Sequence, residues 1–288
     1  MSSALPRSLV ARRALAVVAL LIVPLFRSSA LPNLQQSNDE ARAQARDFLK
    51  QGVQAFKTGQ FDQAIEDFKR AKELDPSLLT ASLYLATTYA NQYIPGAPSK
   101  ENVELGKQAV QEFQEVLSQD PDNLSAIDGI ASVLYNMGGT PFDRETLDKA
   151  KQYRQRHIDI KPKHPEPYFW VGIIDWSLAY RADRELRENW MRKNSVTQDT
   201  NETLPESLRL KFDNQFGTTI DDGIEHMKQA ILLRPDYDDA MAYLNLLYRL
   251  KAGMEPTAGL RDADLREADE LVDQATKVKK QKLTSSPQ

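Results

Sequence analysis

The sequence predicts an all-α protein built from stacked helical hairpins. Four similar segments, RAKELDPS, EVLSQDPD, HIDIKPKH and AILLRPDY, each end a helical pattern with a proline. These prolines are Pro76, Pro121, Pro162 and Pro235. Such a recurring helical unit indicates an internal repeat. One hairpin cannot bury its own apolar face, so at least three hairpins must stack to form a core.

Residues 1–30 have the pattern of a secretory signal peptide. Three arginines precede a short apolar run, and small residues follow it: Arg7, Arg12 and Arg13, then Ala14–Phe26, then Ser28 and Ala30. The apolar run is too short to span a bilayer as a helix. We expect cleavage after about Ala30 and a periplasmic or secreted mature chain. The alternative is an uncleaved membrane anchor.

The mature chain is predicted to be acidic and has no cysteine. The formal net charge of −4 becomes −8 when the four arginines of residues 1–30 are removed. An acidic surface repels nucleic acid and anionic lipid, so we expect neither as a partner and no stable membrane insertion after cleavage. Without cysteine the chain has no disulfide, no thiolate metal ligand and no cysteine nucleophile.

The first hairpin, ARDFLKQGVQAFKTGQFDQAIEDFKRAKELDP, has small residues where two helices approach closely and aromatic residues around them. Its key positions are Phe48, Gly52, Phe56, Gly59, Phe61, Ala64, Phe68, Ala71 and Pro76. These positions resemble the signature of the tetratricopeptide repeat (TPR) family. The resemblance implies a right-handed superhelix of about five helix-turn-helix repeats, with a role in binding proteins.

The domain prediction is a flexible linker at 31–40, a repeat array at 41–280 and a disordered tail at 281–288. The expected repeats are 45–78, 79–123, 124–164, 165–237 and 238–280. The second and third repeats are longer than the first, with extra residues near QYIPGAPSKEN and NMGGTPFD.

The fourth repeat has a long insertion at 178–219, predicted to be a projecting helical hairpin. Its two apolar stripes are Leu178, Ala182, Leu186 and Trp190, and Leu204, Leu208, Phe212, Phe216 and Ile220. Spacing of four residues drifts around a straight helix, so a break is expected near Gly217. This projection either docks a partner or covers the groove of the array.

The sequence contains no recognisable catalytic or metal-binding motif. G-x-S-x-G, the P-loop, the dinucleotide glycine pattern and H-E-x-x-H do not occur. His157 falls at a small-residue position of the repeat, where packing is the expected role. Acidic pairs such as Asp221–Asp222 lie at expected helix starts, where the helix dipole favours carboxylates. We therefore expect no enzyme activity, no cofactor and no metal.

The apolar stretch YFWVGIIDWSLAY (Tyr168–Tyr180) carries one acid, Asp175, at a position that is usually aromatic in the repeat family. A buried carboxylate requires a partner, and His226, Lys228 or Arg234 is expected to supply it. A structural ion pair is the main hypothesis. The alternative is a small-ligand site or a hydrolase that uses Asp175 with His226 beneath the insertion.

The resemblance also implies a partner-binding groove on the first helix of each repeat. Position by position, it indicates Leu49, Val53, Leu83, Asn91, Tyr135, Asn136, Phe169, Ile173 and Trp176. The family's carboxylate clamp for chaperone C-termini needs Lys and Asn where this chain has Leu49, Val53, Leu83 and Thr87, so that ligand is disfavoured.

The predicted function is therefore an exported scaffold that binds peptide or helical segments of partner proteins. Two alternatives remain open at this point. The groove could be covered by the protein's own segments, or the chain could be a permanent structural subunit of an envelope complex.

Overall fold

The computed structural model describes residues 31–196 and 204–285. The predicted signal peptide, part of the predicted insertion (197–203) and residues 286–288 lie outside this range. The chain divides into two units, Met1–Glu40 and Ala41–Gln288. In the first unit, the described residues 31–40 are helical. All packing described below belongs to the second unit.

Within the described residues the chain forms ten α-helices and no strand. They are α1 (Leu31–Lys57), α2 (Phe61–Leu74), α3 (Leu79–Gln92), α4 (Lys100–Gln119), α5 (Leu124–Gly139), α6 (Arg144–Ile160), α7 (Pro165–Lys193), α8 (Glu206–Leu233), α9 (Asp238–Ala252) and α10 (Ala258–Ser285). Consecutive helices form five hairpins. The prediction of an all-α helical repeat fold is confirmed.

Short turns that contain proline separate the hairpins. Each of the four repeat prolines lies two residues after the end of α2, α4, α6 or α8, because proline lacks the N–H that would continue the helix. The next helices begin at residues 79, 124, 165 and 238, where the repeats are predicted to start. Inside the first hairpin, Gly59 has a φ of 75°, a conformation that glycine adopts without steric strain.

The hairpins stack so that the first helices of neighbouring repeats lie side by side. Helix α3 packs against α5, and α7 packs against α9. Between α5 and α7, the Tyr135 and Trp170 rings are 5.5 Å apart, edge to face. We call the surface formed by α3, α5, α7 and α9 the inner face of the array.

Two clusters of buried side chains form the core. One lies within α1–α5 and the other within α5–α10, and Leu134 packs against both. Each cluster contains a place where the backbones of two helices approach closely. At Gly52 on α1, an added Cβ would lie 2.6 Å from the ring of Phe68, which is fully buried on α2. Burial of such a ring contributes about 2–3 kcal/mol.

Within the described residues, the predicted insertion is formed by the C-terminal part of α7 and the N-terminal part of α8. Its stripe residues Leu178, Phe212, Phe216 and Ile220 are buried in one cluster, so the two stripes share a core as predicted. The predicted break near Gly217 does not occur, because α8 is continuous from Glu206 to Leu233. Glycine lowers helix propensity by only about 1 kcal/mol, which burial of the flanking apolar residues outweighs.

Both ends of the array are more helical than the sequence suggests. The predicted linker at 31–40 belongs to α1, which contains no glycine or proline between Asn33 and Gln51 that would break it. The predicted tail begins inside α10, which continues to Ser285. None of the described helices is both long and apolar enough to cross a membrane.

Replacement of Gly52 by alanine tests the close contact between α1 and α2. We expect Gly52→Ala to lower the free energy of unfolding by about 1–3 kcal/mol, because the new methyl group overlaps the Phe68 ring. Urea unfolding followed by circular dichroism measures the change. Gly259→Ala is the matched control, since nothing lies within 4 Å of its added Cβ. Equal stability of wild type and Gly52→Ala would contradict the packing described.

Candidate functional site

A cavity of about 830 Å³ lies on the inner face, beside the α5–α6 turn. Its wall is formed by α5, the α5–α6 turn, the first turns of α6, the distal part of α7 and one residue each from α8 and the α3–α4 loop. The lining residues are Pro95, Tyr135, Asn136, Gly139, Thr140, Phe142, Arg144, Leu147, Trp176, Ser177, Leu178, Tyr180, Arg181, Ala182, Arg184, Glu185, Glu188 and Phe216.

The segments that lengthen repeats two, three and four all contribute to this wall. Pro95 comes from the extra loop of the second repeat, and Phe142 from that of the third. Arg181–Glu188 and Phe216 come from the insertion of the fourth repeat. The three segments that make these repeats longer than the first one therefore converge on one site.

The α3–α4 loop is held by a buried amide. The Asn102 side chain donates to the carbonyl oxygens of Ile94 (2.8 Å) and Ala97 (3.0 Å), and accepts from the Ile94 N–H (2.7 Å). Gly96 has a φ of 80°, and an added Cβ there would lie 3.1 Å from the Thr140 methyl group. The loop of the second repeat thus rests directly on the α5–α6 turn of the third.

The α5–α6 turn is held by the N-cap of α6. The carboxylate of Asp143 accepts from the Glu145 N–H at 3.1 Å and from the Thr146 hydroxyl at 2.5 Å. The hydrogen bond from Thr146 lowers the pKa of Asp143 below its ordinary value. An Asp at this position satisfies N–H groups that the helix leaves unpaired, so the turn is fixed in place.

Aromatic rings and arginines contact one another in the cavity wall. The rings of Trp176 and Tyr180, one turn apart on α7, are stacked with centroids 5.0 Å apart. The guanidinium of Arg181 lies 5.1 Å from the centroid of the Phe142 ring. Phe142 and Tyr180 are 40% and 41% exposed as residues, which leaves aromatic surface open to a ligand.

Three of the nine predicted groove residues line this cavity: Tyr135, Asn136 and Trp176. Phe169 and Ile173 do not, because they are 8% and 4% exposed and belong to the core. The Phe169 ring lies 4.8 Å from that of Tyr237 at the start of α9. The next repeat therefore covers Phe169, Ile173 is buried in the same core cluster, and the prediction of both as open groove residues is wrong.

The remaining predicted groove residues lie in the N-terminal half of the array, away from the cavity wall. Leu49, Val53 and Leu83 are half-buried against the core cluster of α1–α5. Asn91 is exposed, and its side-chain amide donates to the Thr87 carbonyl at 2.9 Å. The structure therefore does not bring all nine residues into one site.

Asp175 is fully buried and pairs with a helix that the sequence prediction did not include. Its Oδ1 lies 2.6 Å from Nζ of Lys151 on α6, and its Oδ2 has no hydrogen-bond partner among the described residues. Burial raises the pKa of Asp175 from 3.8 to about 6, and Lys151 opposes this shift. The charges of Asp222 and Asp148 raise the pKa of Asp175 further.

The three predicted partners of Asp175 bond elsewhere, so that prediction is wrong. His226 Nδ1 lies 2.6 Å from the Asp222 carbonyl oxygen, Lys228 pairs with Glu225 at 3.0 Å, and Arg234 pairs with Glu166. Asp175 is also absent from the lining of the cavity. The geometry therefore gives no support to a hydrolase or ligand site built from Asp175 and His226.

A polar network that sequence reasoning did not find joins α5 to α6 and to His164, the residue before α7. Arg154, which is 5% exposed, donates to Asp128 and Ser132, each at 2.7 Å. His157 Nδ1 lies 2.9 Å from the same Asp128 oxygen, and its Nε2 lies 3.0 Å from His164 Nδ1.

Every named member of this network thus has a polar neighbour, and the role of His157 is packing together with hydrogen bonding. The only sequence signal was a histidine at a position that usually holds a small residue. Within the described ranges, no group of three or more His, Asp or Glu side chains is arranged to hold a metal ion.

The stacked hairpins make this chain a helical repeat protein, with a ligand-sized cavity on its inner face. The family model of the tetratricopeptide repeat matches residues 44–78, the first hairpin. No curated protein matches the sequence. Over the rest of the chain, the fold is similar to that of solved tetratricopeptide repeat proteins.

Three solved structures illustrate the likeness. A crystal structure of MamA protein has a TM-score of 0.54 and 17% identity, over 85% of this chain and 97% of that one. MamA (41-end) from Desulfovibrio magneticus RS-1 has a TM-score of 0.53 and 14% identity, over 83% and 96%. YrrB, described as a TPR protein with an unusual peptide-binding site, has a TM-score of 0.50 and 16% identity, over 85% and 97%. At these identities the likeness concerns the fold.

Replacement of Asp175 by asparagine tests the raised pKa. A carboxyl group with a raised folded-state pKa stabilises the fold below its unfolded pKa, and this stabilisation is lost as the pH rises through about 6. The difference from 3.8 corresponds to about 3 kcal/mol. We expect Asp175→Asn to remove this fall in unfolding free energy between about pH 4 and pH 7.

Urea unfolding at a series of pH values gives the measurement. Asp159→Asn, which removes an exposed carboxylate from α6, should leave the wild-type profile unchanged. A profile for Asp175→Asn that falls as steeply as that of wild type would show that Asp175 is not the titrating group.

Proposed function

We propose that this chain is an exported, non-enzymatic scaffold that binds peptide or helical segments of partner proteins, with the cavity as its main anchor. The observation that carries the proposal is the convergence of the three lengthened segments on that one cavity. Segments whose sole role was to link helices would not be expected to converge on one site. Their meeting beside Tyr135, Asn136 and Trp176 extends the inner face at the position where the resemblance expects a ligand.

The chemistry of the wall suits a protein segment. Binding sites commonly combine a mostly apolar lining with a few polar groups that orient the ligand. Here the rings of Phe142, Trp176 and Tyr180 supply the apolar surface, and the Asn136 amide and Ser177 hydroxyl supply donors and acceptors. One relative in fold, YrrB, is described as having a peptide-binding site, which supports the same class of ligand here.

Binding would work by burying apolar side chains of the partner against exposed rings that are already in position. Trp176 and Tyr180 stack on each other, and Arg181 lies on Phe142, so these side chains lose little freedom when a ligand arrives. Polar groups of the partner backbone would pair with Asn136 and Ser177. Leu49, Val53 and Leu83, which are half-buried on earlier repeats, could extend the contact for a longer segment.

The proposal that the chain is not an enzyme is supported by the positions of its candidate catalytic side chains. The acid and histidine that were the candidate pair, Asp175 and His226, bond to different partners. Export rests on the sequence of residues 1–30, which has the charge and apolar pattern of a signal peptide.

Replacement of two exposed rings tests the anchor. We expect Phe142→Ala combined with Tyr180→Ala to reduce partner capture at least about tenfold, because aromatic anchors dominate binding energy at such sites. The measurement is photo-crosslinking from a probe at Asn136, in cells that express the full chain. Both residues are about 40% exposed, so circular dichroism should show an intact helical fold.

Trp190→Ala is the matched control for this pair, because Trp190 is a half-buried aromatic on the same helix and does not line the cavity. This control should crosslink like wild type. Adducts that persist unchanged in the Phe142→Ala, Tyr180→Ala double variant would remove the cavity as the anchor.

The export proposal has its own test. The full-length chain, expressed in a bacterium, should be recovered from the envelope fraction with Leu31 as its first residue, as N-terminal sequencing would show. Ala30→Arg should accumulate as a larger precursor, because cleavage requires a small residue there. Ala30→Gly keeps a small residue and should be processed normally. An unprocessed wild-type chain in the cytoplasm would refute export.

A further inference from the structure

Arg181 differs from the other arginines of the cavity wall. Arg144 lies 3.6 Å from the carboxylate of Asp148, and Arg184 lies 3.1 Å from that of Glu188. Over residues 31–196 and 204–285, no carboxylate is within ion-pair distance of Arg181. Its Nη2 instead donates to the backbone carbonyl of Gly139 at 2.9 Å. Of the three arginines of the wall, Arg181 is therefore the one that makes no ion pair with a carboxylate of the described residues.

The position of this guanidinium is fixed by its neighbours. It lies on the Phe142 ring, and one of its five N–H groups is taken by the Gly139 carbonyl. An arginine held in this way loses less conformational freedom when it binds a ligand. Its remaining N–H groups match the two oxygens of a carboxylate, which arginine binds with two parallel hydrogen bonds.

The surface next to this cation is aromatic. Arg181 follows Tyr180 directly in α7, and the Tyr180 ring stacks on that of Trp176. A large apolar side chain of a ligand would be buried there while a neighbouring carboxylate reaches the guanidinium. The acids of the wall, Glu185 and Glu188, lie further along α7, and Glu188 is paired with Arg184. The Trp176 and Tyr180 rings thus lie next to the Arg181 guanidinium on α7.

We infer that the cavity binds an internal segment of a partner protein in which an Asp or Glu stands next to a large apolar residue. The acid side chain pairs with Arg181, and the apolar side chain packs against Trp176 and Tyr180. This inference rests on the proposed function and specifies its ligand. It would also give selectivity, because the chain is acidic overall, with a formal net charge of −4 that becomes −8 without residues 1–30, and repels anionic segments elsewhere.

Selection from a library of short peptides with blocked ends tests this ligand. The bait is the purified chain without residues 1–30. Wild type should enrich peptides with Asp or Glu beside Phe, Trp, Leu, Ile or Met. Arg181→Met should retain the apolar preference and lose the acidic one. Phe142→Ala with Tyr180→Ala should lose the apolar preference. Arg192→Met, on the same helix outside the cavity, should select like wild type.

Fluorescence anisotropy with one selected peptide gives the magnitude. Replacement of its acid by the corresponding amide should weaken binding to wild type about tenfold, as expected for loss of a charge-assisted hydrogen bond. The same replacement should change binding to Arg181→Met less than about twofold. Arg181→Lys, which keeps the charge without the fork of donors, should give an intermediate effect.

The possible results separate the inference from the proposed function. Enrichment of apolar residues without Asp or Glu overturns the carboxylate assignment and leaves the scaffold proposal intact. Stronger selection from a library with free C-termini would assign Arg181 to a terminal carboxylate and overturn the internal segment. No enrichment by wild type overturns the inference, and unchanged crosslinking in the Phe142→Ala, Tyr180→Ala double variant then removes the cavity from the proposed function as well.

Discussion

The close approach of helices at glycine is the contact on which the whole array depends. An added Cβ at Gly52, Gly129 or Gly172 would lie within 3 Å of a buried side chain on a neighbouring helix. In the second case that side chain is Phe113, whose ring would lie 2.3 Å from the new atom. Because interiors are close-packed, each contact sets the spacing of its own helix pair, which is α1 with α2, α4 with α5, or α7 with α8.

Regular stacking leaves the connecting turns free to vary, and this chain uses that freedom at one place. The loop held by Asn102, the turn capped by Asp143 and the extension of α7 meet around one cavity. The core beneath these segments tolerates less variation than the turns do. Asp175 is buried between α6, α7 and α8, where Gly223 leaves room for it and Lys151 supplies a partial counter-charge. The raised pKa of Asp175 shows that this compensation is incomplete.

Features that depend on local residue chemistry could be predicted from the sequence. The prolines placed the helix ends, and the helices begin at 79, 124, 165 and 238 as expected. Tyr135, Asn136 and Trp176 were predicted for the inner face and line the cavity. The break predicted at Gly217 is absent, because burial of the flanking residues outweighs helix propensity. The partner of Asp175 was not predicted correctly, because Lys151 is on a neighbouring helix that is distant in sequence.

The sequence by itself determined the repeat and the helix ends, since these follow from periodicity, proline and the size of side chains. Only the tertiary structure decided which positions stay open. It buried Phe169 under Tyr237, paired Asp175 with Lys151, and placed Arg181 on Phe142 beside a cavity. Each of these outcomes depends on how far one repeat is rotated against the next, and that rotation is set by packing across the whole stack.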